Sequence, residues 1–181
     1  MSPNRIFLTG DPGCGKTTAI RTICQMLINR GRKPGGMISG EIREGGVRVG
    51  FKLEDILTHE TGILAHINQN EGPRIGKYRV SLPDIERIGV TAIRRAVTEA
   101  DVVIVDEIGP MELCSKPFIL SVETALASPM DFVGTIHKRA SHNFVTSIKS
   151  NPTHEVIEVT FQNRREVPSK IVDQITVERT S

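Results

Sequence analysis

The sequence lacks a long apolar run and an excess of charge of one sign. No apolar run approaches the length that crosses a bilayer, and no basic-then-apolar leader precedes the first apolar segment. We therefore expect a cytoplasmic protein without a membrane partner. With 23 Lys and Arg against 21 Asp and Glu, the formal charge of +2 is too small to indicate a nucleic-acid partner.

Cysteines are also scarce. The three of them, Cys14, Cys24 and Cys114, are odd in number and lack C-x-x-C spacing, so neither a disulfide framework nor a zinc site is favoured. There is no internal repeat and no low-complexity segment. A chain of 181 residues is within the size of one domain, and we predict a single domain over residues 1–181.

One stretch near the start matches the phosphate-binding pattern G-x-x-x-x-G-K-[ST] without a mismatch. Its residues are Gly10, Asp11, Pro12, Gly13, Cys14, Gly15, Lys16, Thr17 and Thr18. An apolar strand-like run precedes it, and apolar residues at helical spacing follow it. In this arrangement backbone N–H groups and the helix N-terminus hold nucleotide phosphates. Lys16 is then predicted to contact the β and γ phosphates, and the Thr17 hydroxyl to bind Mg²⁺.

Strand-like and helix-like segments alternate along the rest of the chain. We predict an α/β fold of the P-loop NTPase type, a three-layer sandwich with a mainly parallel central sheet. Residues 30–36 are interpreted as a turn, residues 37–42 as a second strand, and residues 47–54 as the returning strand of an antiparallel hairpin. The segment 154–159 alternates clearly and is therefore placed near a sheet edge.

A second buried strand ends in two acids and is predicted to complete the phosphate site. Ligands of a parallel sheet bind at the carboxyl ends of its strands, where Asp106 would hold Mg²⁺ and Glu107 would orient or deprotonate a water. The alternative is an ordinary strand that ends in acidic surface residues. An Asp followed by Glu favours transfer to water over transfer to an acceptor hydroxyl. The residues assigned to the site here are Val102, Val103, Ile104, Val105, Asp106, Glu107, Ile108 and Gly109.

Over most of its length the chain resembles the THEP1-type P-loop nucleoside triphosphatases, which include a human cancer-related nucleoside triphosphatase. The resemblance depends on the phosphate-binding stretch and, in the same order, on residues 40–51, 75–78, 105–113, 134–136 and 162–164. It implies Mg²⁺-dependent hydrolysis of several nucleoside triphosphates to the diphosphate and phosphate. The sequence departs from the family at Pro110, where Lys is usual, and at Gly36, Met37 and Gln162. Lys116 and Lys138 are candidates to replace the missing cation.

Several further residues are candidates for the site. Arg43 shares a strand face with Glu41, so it is either a catalytic cation directed at the transferring phosphoryl group or part of an ion pair in the hairpin. Arg164 and Arg165 follow a strand-end loop, where a guanidinium can stack on any base. Thr135 is either a γ-phosphate sensor or a turn cap. His137 and His142 lack a third ligand at helpful spacing, so no zinc site is predicted.

Three other functions remain as alternatives. A small-molecule or nucleotide kinase would share the phosphate loop but carry an arginine-rich lid, whereas residues 58–78 offer only Arg74 and Lys77. A guanine-specific switch protein would carry Asn-Lys-x-Asp, which the sequence lacks. A nucleic-acid-associated ATPase would show a basic stripe. We favour a monomeric, Mg²⁺-dependent phosphohydrolase acting on ATP, GTP and other nucleoside triphosphates, with Lys16, Arg43 and Glu107 in catalysis.

Overall fold

Strands and helices alternate as the sequence predicts. A computed structural model of the chain describes residues 2–177. The strands are β1 (Arg5–Thr9), β2 (Pro34–Glu44), β3 (Val47–Asp55), β4 (Thr61–His66), β5 (Arg74–Ile75), β6 (Tyr78–Val80), β7 (Val102–Ile108), β8 (Asp131–Ile136) and β9 (Glu155–Glu158). The helices are α1 (Lys16–Asn29), α2 (Leu82–Asp84), α3 (Thr91–Glu99), α4 (Lys116–Ala127), α5 (Asn143–Ser150) and α6 (Val167–Val177). A π-helical segment, Ile85–Val90, joins α2 to α3.

The strands form one mixed sheet of nine strands in the order β5-β6-β4-β3-β2-β7-β8-β1-β9. Strands β2, β7, β8, β1 and β9 pair in parallel, and β9 lies at the edge as predicted. The antiparallel part is larger than the single predicted hairpin, because β4, β5 and β6 extend it beyond β3. Those three strands are two to six residues long, too short for a clear periodic signal.

Helices cover both faces of the parallel strands. The apolar run of β7 explains this, because its side chains alternate between two cores. Val103 and Val105 face a core with α3, α4 and α5, whereas Val102 and Ile104 face a core with α1 and α6. The predicted three-layer α/β architecture is therefore confirmed.

The turn predicted at residues 34–36 is wrong, since these residues are the first of strand β2. Gly36 has a φ of +116°, and a Cβ there would lie 2.0 Å from the carbonyl oxygen of Ile104. A Cβ on Gly35 would lie 2.8 Å from that of Ala100. The glycines therefore allow β2 to lie close to β7 and to the end of α3. In the sequence, glycines that permit close packing cannot be distinguished from glycines that form a turn.

The hairpin turn itself is correctly predicted. Gly45 and Gly46 connect β2 to β3 with φ values of +55° and +79°. Within residues 2–177, no helix is long and apolar enough to cross a membrane. The sequence also allows for a disordered tail over the last few residues of the chain, and these lie outside the described residues.

Candidate active site

The phosphate-binding loop connects the end of β1 to the start of α1. Gly10, Gly13 and Gly15 all have positive φ, of +152°, +78° and +109°. A Cβ on Gly10 would lie 2.5 Å from the carbonyl oxygen of Val159, so this position requires glycine. Gly15 is the N-cap of α1, which directs the first amides of the helix towards the loop.

Lys16 lies across the loop that precedes it. Its Nζ donates to the carbonyl oxygens of Gly10 at 3.0 Å and Asp11 at 3.3 Å. The ammonium group is therefore held at the loop, where phosphates bind in proteins with this motif.

Asp106 lies beneath the loop, at the carboxyl end of β7. It is 1% exposed, and its Oδ1 accepts a hydrogen bond of 2.6 Å from the Thr135 hydroxyl. Its pKa is raised, chiefly by burial, against the lowering effects of Thr135, of the Thr17 hydroxyl and of nearby Arg21 and Lys16. The loop threonine and the strand aspartate are therefore neighbours in space, as the sequence predicts.

The chemistry of this pair fits Mg²⁺. Asp106 Oδ2 is buried and has no hydrogen-bond partner among residues 2–177, so a carboxylate oxygen remains for a ligand. Thr17 adds a hydroxyl oxygen, and hard cations prefer oxygen ligands. No group of three or more His, Cys, Asp or Glu side chains in the described chain could hold a metal. Mg²⁺ is commonly bound by one or two protein oxygens together with phosphates and waters, and Asp106 and Thr17 carry oxygens of this kind.

Glu107 follows Asp106 directly, and β7 shifts register between Val105 and Ile108. Burial, together with a smaller effect of the Asp106 charge, raises the pKa of Glu107 to about 7, although Lys16 acts in the opposite direction. In the part of the chain that the structure describes, its carboxyl group makes no hydrogen bond. A carboxylate that titrates near neutral pH and has free oxygens can take a proton from water.

Glu112 lies beside the acid pair; it falls in segment 105–113, which contributes to the family resemblance, but the sequence predicted no role of its own for it. It opens a 3₁₀ turn, Glu112–Cys114, and is only 4% exposed. Its Oε2 accepts a hydrogen bond of 3.2 Å from the backbone N–H of Gly109, and burial together with the charge of Glu107 raises its pKa well above the usual range. The available signal was an acid between two apolar residues, Met111 and Leu113, just after the acid pair.

Thr135 supports Asp106. It is fully buried, and its hydroxyl donates to the Asp106 carboxyl group, while a role in sensing the γ-phosphate stays a prediction.

Arg43 lies past the end of β7, since β2 pairs with β7 only as far as Ile38 and Asp106. Its guanidinium forms an ion pair of 2.7 Å with Glu41 and donates to the Gly46 carbonyl oxygen at 2.9 Å. Arg48 binds the other oxygen of Glu41 at 2.8 Å across the hairpin. The predicted ion pair of the hairpin is thus present in this structure, and the catalytic role of Arg43 stays a prediction.

Arg164 lies against the phosphate-binding loop. A Cβ on Gly15 would lie 3.4 Å from its Cδ, and its guanidinium stacks over the ring of Phe161 at 4.9 Å from the centroid. Phe161 is 68% exposed, the largest value among the exposed apolar side chains of the described chain. The guanidinium beside the loop therefore stacks on an exposed aromatic ring, and Phe161 carried no motif that would have identified it from the sequence.

Two lysines are candidates to replace the lysine that the family usually has at position 110, and one of them contacts the phosphate-binding loop. Lys138 forms ion pairs with Asp11 at 3.3 Å and with Glu158 at 2.6 Å. Lys116 is the first residue of α4.

Fold and site together define a P-loop protein of the kind that binds nucleoside triphosphates. Residues 5–172 match the family model described as NTPase. A nucleoside-triphosphatase THEP1 of Thermofilum pendens is 45% identical over 176 residues, which are 97% of this chain and 97% of that protein. The corresponding protein of Methanosarcina acetivorans is 42% identical over 171 residues, 94% of this chain and 95% of that one.

Two solved structures agree with these sequence relatives. The crystal structure of THEP1 from the hyperthermophile Aquifex aeolicus has a TM-score of 0.85 and 30% identity, covering 95% of this chain and 99% of that chain. The solution structure of a human cancer-related nucleoside triphosphatase has a TM-score of 0.82 and 32% identity, covering 97% and 99%. The chain belongs to the THEP1 nucleoside-triphosphatase family. The predicted family, fold and enzyme class are confirmed.

Proposed function

We propose that this chain is a single-domain, Mg²⁺-dependent phosphohydrolase that converts a nucleoside triphosphate and water to the diphosphate and phosphate. One observation carries the proposal. Thr17 and the buried carboxyl group of Asp106 meet under the glycine loop, while the adjacent Glu107 has unbound carboxyl oxygens and a pKa of about 7. The proposed phosphate-binding, metal-binding and proton-accepting groups thus lie at the carboxyl ends of β1 and β7.

Phosphate binding falls to residues 10–18. The positive φ of the loop glycines exposes backbone N–H groups, and α1 adds the positive end of its dipole. Lys16 exchanges its contacts with the Gly10 and Asp11 carbonyls for the β and γ phosphates.

Thr17 and Asp106 hold the metal. When bound, Mg²⁺ supplies positive charge to the β and γ phosphate oxygens. Thr135 keeps the Asp106 carboxyl group in place by donating to Oδ1, which leaves Oδ2 for the metal or its waters.

Glu107 acts on the attacking water. It accepts the proton that the water loses as its oxygen bonds to the γ-phosphorus, and the bond from phosphorus to the β–γ bridging oxygen breaks. The bridging oxygen leaves with the diphosphate, where Lys16 stabilises its growing charge. Catalysis then consists of positioning together with charge stabilisation, as is general for phosphoryl transfer.

A broad base range follows from the character of the Arg164 and Phe161 side chains. Stacking on a ring or a guanidinium plane needs only the face of a base, which every base has. Arg43 is assigned to the transferring phosphoryl group and would have to leave Glu41 to reach it.

One assay separates this proposal from the alternatives. Purified protein is incubated with each nucleoside triphosphate and Mg²⁺, with and without nucleosides and nucleoside monophosphates, and phosphate and phosphorylated products are measured. Phosphate release without an acceptor supports a hydrolase, whereas transfer to an acceptor would identify a kinase. Stimulation by RNA or DNA at low salt would support a nucleic-acid-associated ATPase. A cytoplasmic location and a monomeric state stay predictions from the sequence.

A further inference from the structure

A buried carboxyl group lies beside the acid pair without belonging to the metal site. Glu112 is on the turn between β7 and α4, and its neighbours Met111 and Leu113 pack against the core around α4. Carboxyl groups are rarely buried without a partner or a function. The partner here is the backbone N–H of Gly109, which donates to Glu112 Oε2 at 3.2 Å.

Glu107 and Glu112 flank Gly109 from two sides. A Cβ built on Gly109 would lie 3.2 Å from Glu112 Oε2, 3.4 Å from Glu107 Cδ and 3.6 Å from Glu107 Cγ. The two side chains therefore pack around the same point, and Gly109 leaves the room that both require. Any shift of the backbone at Gly109 changes the space available to Glu107.

Among residues 2–177, no side chain or backbone group forms a hydrogen bond with the Glu107 carboxyl group. Its position depends on the backbone of residues 107–109 and on what packs beside it. Glu112 fixes this backbone, because its hydrogen bond connects Gly109 to the turn that leads into α4.

We propose that Glu112 is a positioning residue for hydrolysis: by holding the Gly109 amide and packing beside Glu107, it keeps the Glu107 carboxyl group directed at the attacking water. The inference rests on the proposed function of Glu107 and adds a residue that does not itself contact substrate. It predicts that a change at Glu112 lowers kcat, leaves nucleotide affinity unchanged, and acts through Glu107.

The first test compares substitutions at this position. Glu112→Ala leaves the Gly109 amide without its acceptor, and we expect kcat to fall roughly 10-fold to 100-fold, as losses of supporting contacts do. The Kd of a non-hydrolysable triphosphate analogue should stay within about twofold. Glu112→Gln retains an acceptor oxygen and similar volume, and should recover most of the lost rate. Gly109→Ala, which crowds both carboxyl groups, should lower kcat with Glu112 intact.

A matched control separates positioning from general destabilisation. Val122→Ala removes a fully buried side chain from α4 in the same core, and it should lower the thermal midpoint without a comparable fall in kcat. If Val122→Ala and Glu112→Ala lower kcat equally at equal loss of stability, Glu112 only supports the fold and the inference is overturned.

A double-mutant cycle with Glu107→Gln decides whether Glu112 acts through Glu107. In the Glu107→Gln background, Glu112→Ala should change kcat by less than about threefold, because the residue that it positions is already inactive. A full additional loss would overturn the inference while leaving the proposed role of Glu107 intact. Wild-type rates in Glu107→Gln alone would instead refute that role, and with it any action of Glu112 through this side chain.

Discussion

The hydroxyl of Thr135 donates a hydrogen bond of 2.6 Å to Oδ1 of Asp106, across the pair of strands β8 and β7. Both side chains are buried, so no solvent competes for this contact. It leaves Asp106 Oδ2 as the oxygen without a partner among the described residues. The orientation of the carboxyl group that we propose as a metal ligand is therefore set by a residue on the neighbouring strand.

Thr135→Val removes the hydroxyl and keeps the shape. Since a supporting hydrogen bond of a metal ligand typically contributes one to two orders of magnitude, we expect the Mg²⁺ concentration for half-maximal rate to rise roughly 10-fold to 100-fold. Thr135→Ser retains the donor and should stay close to wild type. Initial rates over a MgCl₂ titration measure the effect. A Thr135→Val curve that overlays the wild type would contradict this role.

The pH dependence of kcat should report Glu107. Its pKa is about 7, and only the ionised form accepts a proton, so kcat should fall as the pH decreases through 7. Glu107→Gln cannot accept a proton and should lower kcat by roughly 10²–10⁴ while retaining nucleotide binding. The measurement is a steady-state profile from pH 5 to 9. A wild-type kcat that is flat over this range would exclude a carboxyl group of this pKa as the base.

Arg43 and Arg48 form a matched pair, because both bind Glu41 but only Arg43 is assigned to the phosphoryl group. A cation on the transferring phosphoryl group contributes on the order of 10³ or more to kcat. Arg43→Ala should show a loss of this size, and Arg48→Ala only a small one. Single-turnover rates at saturating nucleotide measure both. Equal, small effects would leave Arg43 as part of the hairpin ion pair alone.

Arg164 is predicted to bind the base face without discrimination. Stacking contributes about 1–3 kcal/mol per base, so Arg164→Ala should raise KM roughly 10-fold for ATP, GTP, CTP and UTP alike. Arg165→Ala is the control, since Arg165 is exposed, as Arg164 is, but lacks the contact with Phe161. A rise confined to one nucleotide would show base-specific recognition instead.

Gly36 and Gly45 both have positive φ but differ in their surroundings. At Gly36 a Cβ would lie 2.0 Å from the Ile104 carbonyl oxygen, whereas at Gly45 nothing lies within 4 Å. Gly36→Ala combines overpacking with backbone strain and should lower the free energy of unfolding by about 3 kcal/mol or more. Gly45→Ala introduces backbone strain without overpacking and should lower the free energy of unfolding by only about 1–2 kcal/mol. Urea unfolding compares the two, and equal losses would contradict the packing argument.

The fold class and the central part of the site could be predicted because their signals are local. The strand, glycine loop and helix around Lys16 are consecutive in the chain, and Asp106 and Glu107 directly follow an apolar run. The sequence indicates strands only weakly at residues 63–65 and 78–80, which lie in β4 and β6, and it does not indicate β5, because these strands are short and depend on partners for their stability. Gly35 and Gly36 were mistaken for a turn, because glycine permits both a turn and close packing.

By itself, the sequence determined that a triphosphate-binding loop exists, that an acid pair ends a buried strand, and that the family is the THEP1 nucleoside triphosphatases. The loop and the acid pair follow from residue spacing, which needs no knowledge of distant neighbours, and the family follows from the resemblance of several short segments to known members. Only the tertiary structure decided that Thr135 orients Asp106, that Glu112 lies beside Glu107, and that Arg164 lies against Gly15. The reason is physical: each of these relationships joins residues on different elements, and their distance is set by how strands pair and how side chains fill the space between them.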